Sequence, residues 1–269
     1  MTKKDYVLGT DQQELLRLQR QHELWEHTAA DACAIAGFSQ AKQILDLGCG
    51  PGFTTLSLLK NFPRAQITAV DASREFLENL EQRAAHEAPG RVQTHLSLLE
   101  SMNLKNKDFD AAYNRWVLIF VPEFEDVIQR VAQHLRAGAP WVLEEYVAYE
   151  TMALCPDVPI MGHVVQAIFK SWMDQGGDPS RGRILPHILE KNGFRVKQMI
   201  GHSRIARPGE PLWDWPDGFY RNFIPRLVAS GHLREAEAQE FFEQWDRTRA
   251  IPGAFFLAPT MMTIIAEKT

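Results

Sequence analysis

The chain is short of cysteine: three in 269 residues, Cys33, Cys49 and Cys155, all far apart. Thiols so scattered build neither a disulfide framework nor a tetrahedral zinc site, which argues against a stapled secreted module and a metal centre of that type. Cationic excess is missing too. The 29 Lys and Arg face 34 Asp and Glu, a net charge of −5, and the basic residues are dispersed. Nucleic-acid binders work by neutralising phosphates, so this balance argues against one. No apolar run approaches the roughly 20 residues that span a bilayer, and the first six residues carry no apolar signal stretch. These shortages leave a cytoplasmic, reduced, membrane-free enzyme as the expectation. The length suits one large α/β domain with insertions.

What is present is concentrated in one place. Ile44-Leu45-Asp46-Leu47 reads as an apolar strand ending near an acid, followed by Gly48-Cys49-Gly50-Pro51-Gly52 and a helix start at Phe53-Thr54-Thr55. Glycine allows a tight turn and close approach of backbone to ligand. The helix behind offers unpaired N–H groups at its N-terminus. Asp46 adds a carboxylate suited to a ligand ammonium. The dinucleotide pattern G-x-G-x-x-G would need glycine at position 53, which is Phe53. A second apolar strand, Ile67-Thr68-Ala69-Val70, ends in Asp71, placed to accept hydrogen bonds from ribose hydroxyls.

These two acids and the glycine spacing resemble the class I S-adenosylmethionine-dependent methyltransferases. The resemblance continues through Phe109–Leu118, Phe120-Val121-Pro122 and Leu135–Glu145, and so covers roughly residues 43–145. It implies a Rossmann-like α/β fold: a seven-stranded sheet, mostly parallel with an antiparallel last strand, helices on both faces, and helical lid insertions. Strand-like segments near 43–47, 66–70, 91–96, 109–114 and 140–147 alternate with helical ones near 53–60, 73–86 and 123–135, as a parallel sheet requires. A helix is expected over 11–36, capped by Asp11 with Glu14, its apolar stripe running through Leu15, Leu18, His22 and Trp25. One final strand is expected over 254–266. The chain is expected to form a single methyltransferase domain over 1–269: a helical cover at 1–40, a cofactor core at 41–148, and acceptor-side insertions at 149–182 and 206–252.

Carried over by position, the resemblance gives the methionine end of the cofactor to Asp46, Gly48, Cys49 and Gly50, and the ribose and adenine edge to Asp71 and Ala72. Asn114 would direct its backbone carbonyl at the ammonium, with Arg115 and Trp116 beside it. Similar enzymes often carry an acid after the third strand, against the adenine amino group. Here that place holds Leu98-Leu99, which leaves backbone contacts, or Ser97 or Glu100, for adenine. Tyr6 and Gln21 are expected to close over the cofactor. Arg17 has two readings, closing over it as well or pairing with Glu14 or Asp11. His163, in the first insertion, is the expected general base; its competing reading is a partly buried lid residue. Of Glu144 and Glu145, strand alternation lets at most one face substrate. The aromatics of 211–245 read chiefly as lid core and imply an apolar acceptor pocket.

The implied reaction is methyl transfer from S-adenosylmethionine to O, N or C of a small, partly hydrophobic metabolite, leaving S-adenosylhomocysteine. The alternatives are a nucleic-acid or protein methyltransferase, or a non-catalytic cofactor-binding regulatory subunit. The expected partners are a small-molecule acceptor, with no nucleic acid, membrane or metal, in a monomer or homodimer.

Overall fold

The computed structural model describes residues 12–269. Tyr6 and Asp11, expected over the cofactor and at the first helix cap, lie outside them. After α1 (Gln12–Ile35), strand and helix alternate through β1 (Gln43–Leu47), α2 (Phe53–Asn61), β2 (Gln66–Asp71), α3 (Arg74–Glu87), β3 (Val92–Leu96), β4 (Ala111–Arg115), α4 (Phe124–His134) and β5 (Pro140–Ala148). Then come β6 (Ala153–Cys155), α5 (Pro159–Met173), α6 (Leu185–Lys191), β7 (Phe194–His202), β8 (Ile205–Ala206), α7 (Pro211–Ala229), α8 (Glu235–Thr248), β9 (Phe255–Leu257) and β10 (Thr260–Lys268). The main sheet has the order β3-β2-β1-β4-β5-β10-β7. All its pairs are parallel except those of β10, which lies antiparallel between β5 and β7. This is the expected Rossmann-like sheet.

Strand order reverses between β1 and β4, and in open α/β sheets ligands sit beyond the carboxyl ends of the strands at such a point. The sequence builds that crevice from local rules. Ile44, Leu45 and Leu47 are fully buried because a central parallel strand is covered on both faces. Ser73 caps α3, its hydroxyl accepting from the Phe76 N–H, so the chain turns into helix two residues after β2 ends at Asp71. In α4, Phe124, Val127, Ile128 and Val131 fall at helical spacing and bury one face on the sheet.

Two expectations need correction, the last strand and the buried face of α1. The single last strand is two: β9 leaves the main sheet to pair with β6 and β8, and β10 starts after Pro259. Proline has no N–H to give a ladder, so the chain changes sheets there. The small sheet β6-β9-β8 carries no recognisable pattern, its strands being two or three residues long. Glu14, placed off the buried stripe of α1, is fully buried, and Leu15 is only half-buried. The face of α1 that meets α7 takes precedence over the apolar spacing.

Helices α5, α7 and α8 form a layer over the carboxyl edge of the sheet. Six of the seven tryptophans belong to the core they share with the tops of β4 and β5, so this edge is roofed by aromatic packing rather than loops. Among the described residues no helix is long and apolar enough to cross a membrane.

Candidate functional site

A cavity opens at the strand reversal, bounded by the glycine loop, the ends of β2 and β4, α1, and the aromatic roof. Gly48 adopts φ +61°, and a Cβ there would lie 2.5 Å from Val117 Cγ2, so only glycine lets the loop pass the β4 corner. Gly50, at φ +54°, differs: a Cβ would meet nothing within 4 Å, because that peptide faces the open cavity. Its N–H donates to Asp71 Oδ2 (2.8 Å), and Ser73 N–H donates to Asp71 Oδ1 (2.8 Å). Asp71 thus ties the loop to the α3 cap, a duty its sequence position did not reveal. Each oxygen keeps a lone pair for a further donor.

Asp46 is buried beneath the loop, Oδ2 accepting from Thr55 Oγ1 (2.6 Å). Burial pushes its carboxyl up to about 7, against the pull of that hydroxyl and of Arg115. A buried carboxylate held this poorly gains from a cationic ligand. Thr55 lies in the first turn of α2, three residues past Gly52, and that spacing was the signal available for finding it. Ala72, Leu98 and Leu99 also line this end, with Ser97 and Glu100.

The Arg115 side chain lines the cavity floor and is 7% exposed. Its guanidinium donates to Thr54 Oγ1 (3.0 Å) and the Trp25 carbonyl (3.3 Å), lies 3.9 Å from Glu144 Oε2, and covers the Trp116 ring at 5.1 Å. His22 sits 3.4 Å from the same guanidinium, and burial with that neighbouring cation lowers it to about 4, so it stays neutral. Glu144 accepts from Tyr113 Oη (2.6 Å) and Thr263 Oγ1 (3.2 Å). Glu145, on the opposite face, accepts from the N–H groups of Val117 (3.0 Å) and Leu118 (2.8 Å) and from Asn114 Nδ2 (2.9 Å). It caps the β4 corner, and neither glutamate lines the cavity.

Trp116 turns that corner at φ +52°, the one described non-glycine residue at positive φ. Such a conformation costs free energy and persists only when its surroundings enforce it. Here the Trp116 N–H donates to the Glu144 carbonyl (2.9 Å), and Glu145 holds the next two amides. The indole projects into the roof, stacked with Tyr146 (5.4 Å) and with Trp215 (6.1 Å).

Gln21 lines the cavity from α1, its Oε1 accepting from Arg17 and from Trp215 Nε1 (2.9 Å each). Arg17 pairs with Glu14 (2.7 and 2.8 Å) and also lines the cavity, so its two readings meet in one residue. Asn114 is not among the lining residues; its side chain turns away to Glu145 and accepts from Trp141 Nε1 (2.9 Å).

His163 requires a plain correction. It projects from the outer side of α5, 64% exposed, with Nδ1 4.0 Å from Glu237 Oε1, and it does not line the cavity. The inner face of α5 belongs to Met161, Val164, Val165, Ile168 and Trp172. Spacing alone did not say which face met the sheet. His163→Ala should leave the rate of any reaction in this cavity within about twofold, as surface changes away from special features do; a steady-state assay that lost tenfold would restore it.

The aromatics missed individually are Tyr149, Trp172 and Tyr220, which line the acceptor-side end with Trp116, Tyr146 and Trp215. Trp213, Phe241 and Trp245 instead pack within the roof. No local signal separates these two groups.

Residues 44–138 match a family model described as a methyltransferase domain. The chain is similar to the O-methyltransferase cnsE of Penicillium expansum, 27% identical over 178 residues, spanning 65% of this chain and 60% of that relative. It is also similar to trans-aconitate 2-methyltransferase of Mycolicibacterium gilvum, 33% identical over 103 residues that cover 38% and 37% of the two chains. Among solved structures, a putative sarcosine dimethylglycine methyltransferase from Galdieria sulphuraria shares the fold, with a TM-score of 0.61 over 91% of this chain and 85% of the other at 14% identity. Residues 44–138 are thus a methyltransferase domain by sequence match, and the strand order is that of the solved methyltransferase structure.

Proposed function

We propose that the cavity binds S-adenosylmethionine and that the protein transfers its methyl group to a small, partly hydrophobic acceptor held under the aromatic roof. The observation that carries this is the pairing of the buried Asp46 carboxylate with a Gly50 peptide whose side-chain position is open space. A cation beside Asp46 relieves its burial, and a ligand lying on the bare loop meets no side chain there. The residues fit the group.

In this reading Asp46 receives the ammonium, Asp71 accepts from the ribose, and Leu98 and Leu99 flank the adenine through backbone and apolar contact. A bound sulfonium supplies an already activated methyl group. The protein has to aim the acceptor and keep water out. Trp116 and Tyr146 stand between the glycine-loop end and the roof, where they orient the acceptor; α5 and α7 close the space above. The matching division of labour gives the cofactor to 41–148 and the acceptor to 149–182 and 206–252, under the cover at 1–40.

Calorimetric titration with S-adenosylmethionine and S-adenosylhomocysteine tests the site, and labelled S-adenosylmethionine with a metabolite extract tests transfer. Saturable one-to-one binding and label in a small product are expected. An absence of heat with either nucleoside removes the proposal; tight binding without transfer favours a regulatory subunit.

A further inference from the structure

The acceptor end of the cavity holds many polar atoms but, among the described residues, no base to take a proton. The ionisable lining residues other than tyrosine and Cys49 are Arg17, His22, Asp46, Asp71, Glu100 and Arg115, which belong to α1 or to the glycine-loop end. Asp46 and Asp71 are engaged by Thr55 and by the loop amides. His22 lies against Arg115 and Thr54. The sealed glutamates on β5 face the floor and the β4 corner. What remains under the roof is phenol and indole.

Those groups are donors. Trp116 Nε1 and Trp172 Nε1 are buried without a partner, and an indole N–H can only donate. Tyr149 is 3% exposed and lines the cavity, and its hydroxyl has no hydrogen-bond partner among the described residues. Burial pushes this phenol well up from its ordinary range, and Tyr146 and Tyr220 add to that while Arg17 opposes it, so its proton stays on. Tyr220 Oη has only thioether partners, Met152 Sδ at 3.5 Å and Met161 Sδ at 3.9 Å, which are weak acceptors. An ammonium here would find neutral phenol oxygens and no carboxylate to balance its charge, since the lining carboxylates Asp46, Asp71 and Glu100 lie at the glycine-loop end. The rings offer no open cation cage either: Trp116 already packs against Tyr146, Trp215 and the Arg115 guanidinium, and Trp172 packs against Phe120, Tyr149 and Phe219.

Resting on the methyl-transfer function proposed above, we propose that the acceptor is a largely apolar molecule with an oxygen already anionic at neutral pH, a carboxylate or an acidic phenol or enol. It is methylated on that oxygen, with Tyr149 as the orienting donor. The balance is simple. An oxygen lone pair forms the new O–C bond as the S–C bond breaks, and the S–C electron pair stays on sulfur. A sulfonium and an oxyanion become two neutral products, and no proton needs a home. Apolar walls favour that loss of charge, since ions are costly there.

The test uses the full chain and one- and two-ring probes matched in frame: benzoates, nitrophenols, unsubstituted phenols and anilines. Binding is measured by calorimetry with S-adenosylhomocysteine present, and transfer is measured with labelled cofactor at saturation. Benzoates or nitrophenols should bind and be methylated on oxygen, and which of the two does so identifies the oxyanion. A phenol with pKa near 10 is only about 0.1% ionised at pH 7, so it and aniline should react at least about 100-fold more slowly. Tyr149→Phe should weaken oxyanion binding and lower kcat/KM about 10–100-fold, as for a hydrogen bond to a charged group, leaving S-adenosylhomocysteine affinity unchanged. Methylation of aniline or unsubstituted phenol at comparable rates overturns the proposal, as does an indifferent Tyr149→Phe. S-adenosylhomocysteine binding without uptake or methylation of any probe overturns the acceptor class alone; failure to bind it overturns the function beneath.

Discussion

Asp46→Asn should raise the dissociation constant for S-adenosylmethionine about 100-fold, the scale of a lost charge-assisted contact, and should also raise the melting temperature. Both effects come from one fact: burial holds this carboxyl near 7 instead of its ordinary 3.8. Between those values the folded chain keeps a proton that the unfolded chain has released, so stability falls as pH rises through the window. Below it both states are protonated and nothing is lost. At about 1.4 kcal/mol per unit, the span sets an upper bound of roughly 4 kcal/mol above pH 7. Asparagine has nothing to ionise and still offers Thr55 an acceptor, so the gain should be larger at pH 8 than at pH 5. Binding has the opposite sign, because a cationic ligand needs the carboxylate. Wild-type affinity should fall about tenfold per unit below pH 7, and that of the variant should be flat. Calorimetry and thermal melts at both pH values check this; unchanged affinity would remove Asp46 from the site.

Glu145→Ala should cost about 3–5 kcal/mol, because three buried donors lose one acceptor at once. At roughly 2–4 °C per kcal/mol for a chain of this size, the melting temperature should drop by about 10 °C or more. Glu145→Gln separates the hydrogen bonds from the charge. It keeps an acceptor for Val117 and Leu118, and the native carboxyl is itself pushed up to about 7 by burial. That variant should stay within about 1 kcal/mol of wild type at pH 8. Denaturant melts decide between them. An alanine variant as stable as wild type would mean that the Trp116 corner holds itself.

If Asp46 receives the ammonium as proposed, stability and function pull against each other there, since the same buried charge costs the fold and serves the ligand. At Glu145 they align, since the same carboxylate stabilises the fold and fixes the backbone that carries Trp116. Asp71 is intermediate. Its bonds to Gly50 and Ser73 are internal, so a substitution there would disturb the loop as well as any ribose contact.

The sequence by itself determined the alternating α/β core, the strand that ends at Asp46, the bare turn at Gly48 and Gly50, and the acid at Asp71. These are local matters: short continuous apolar runs, positive φ open to glycine, and a cap residue after a strand leave marks within a few positions. The tertiary structure alone decided which face of α5 meets the sheet, and with it that His163 looks outward. It also decided that the last strand breaks at Pro259, that Glu14 is buried against α7, that Asn114 turns from the cavity, and that Tyr149 and Trp172 enter it. Each of these depends on contacts between residues far apart in the chain. Such contacts are fixed by packing and by the need to satisfy buried polar groups, and neither leaves a mark in local spacing.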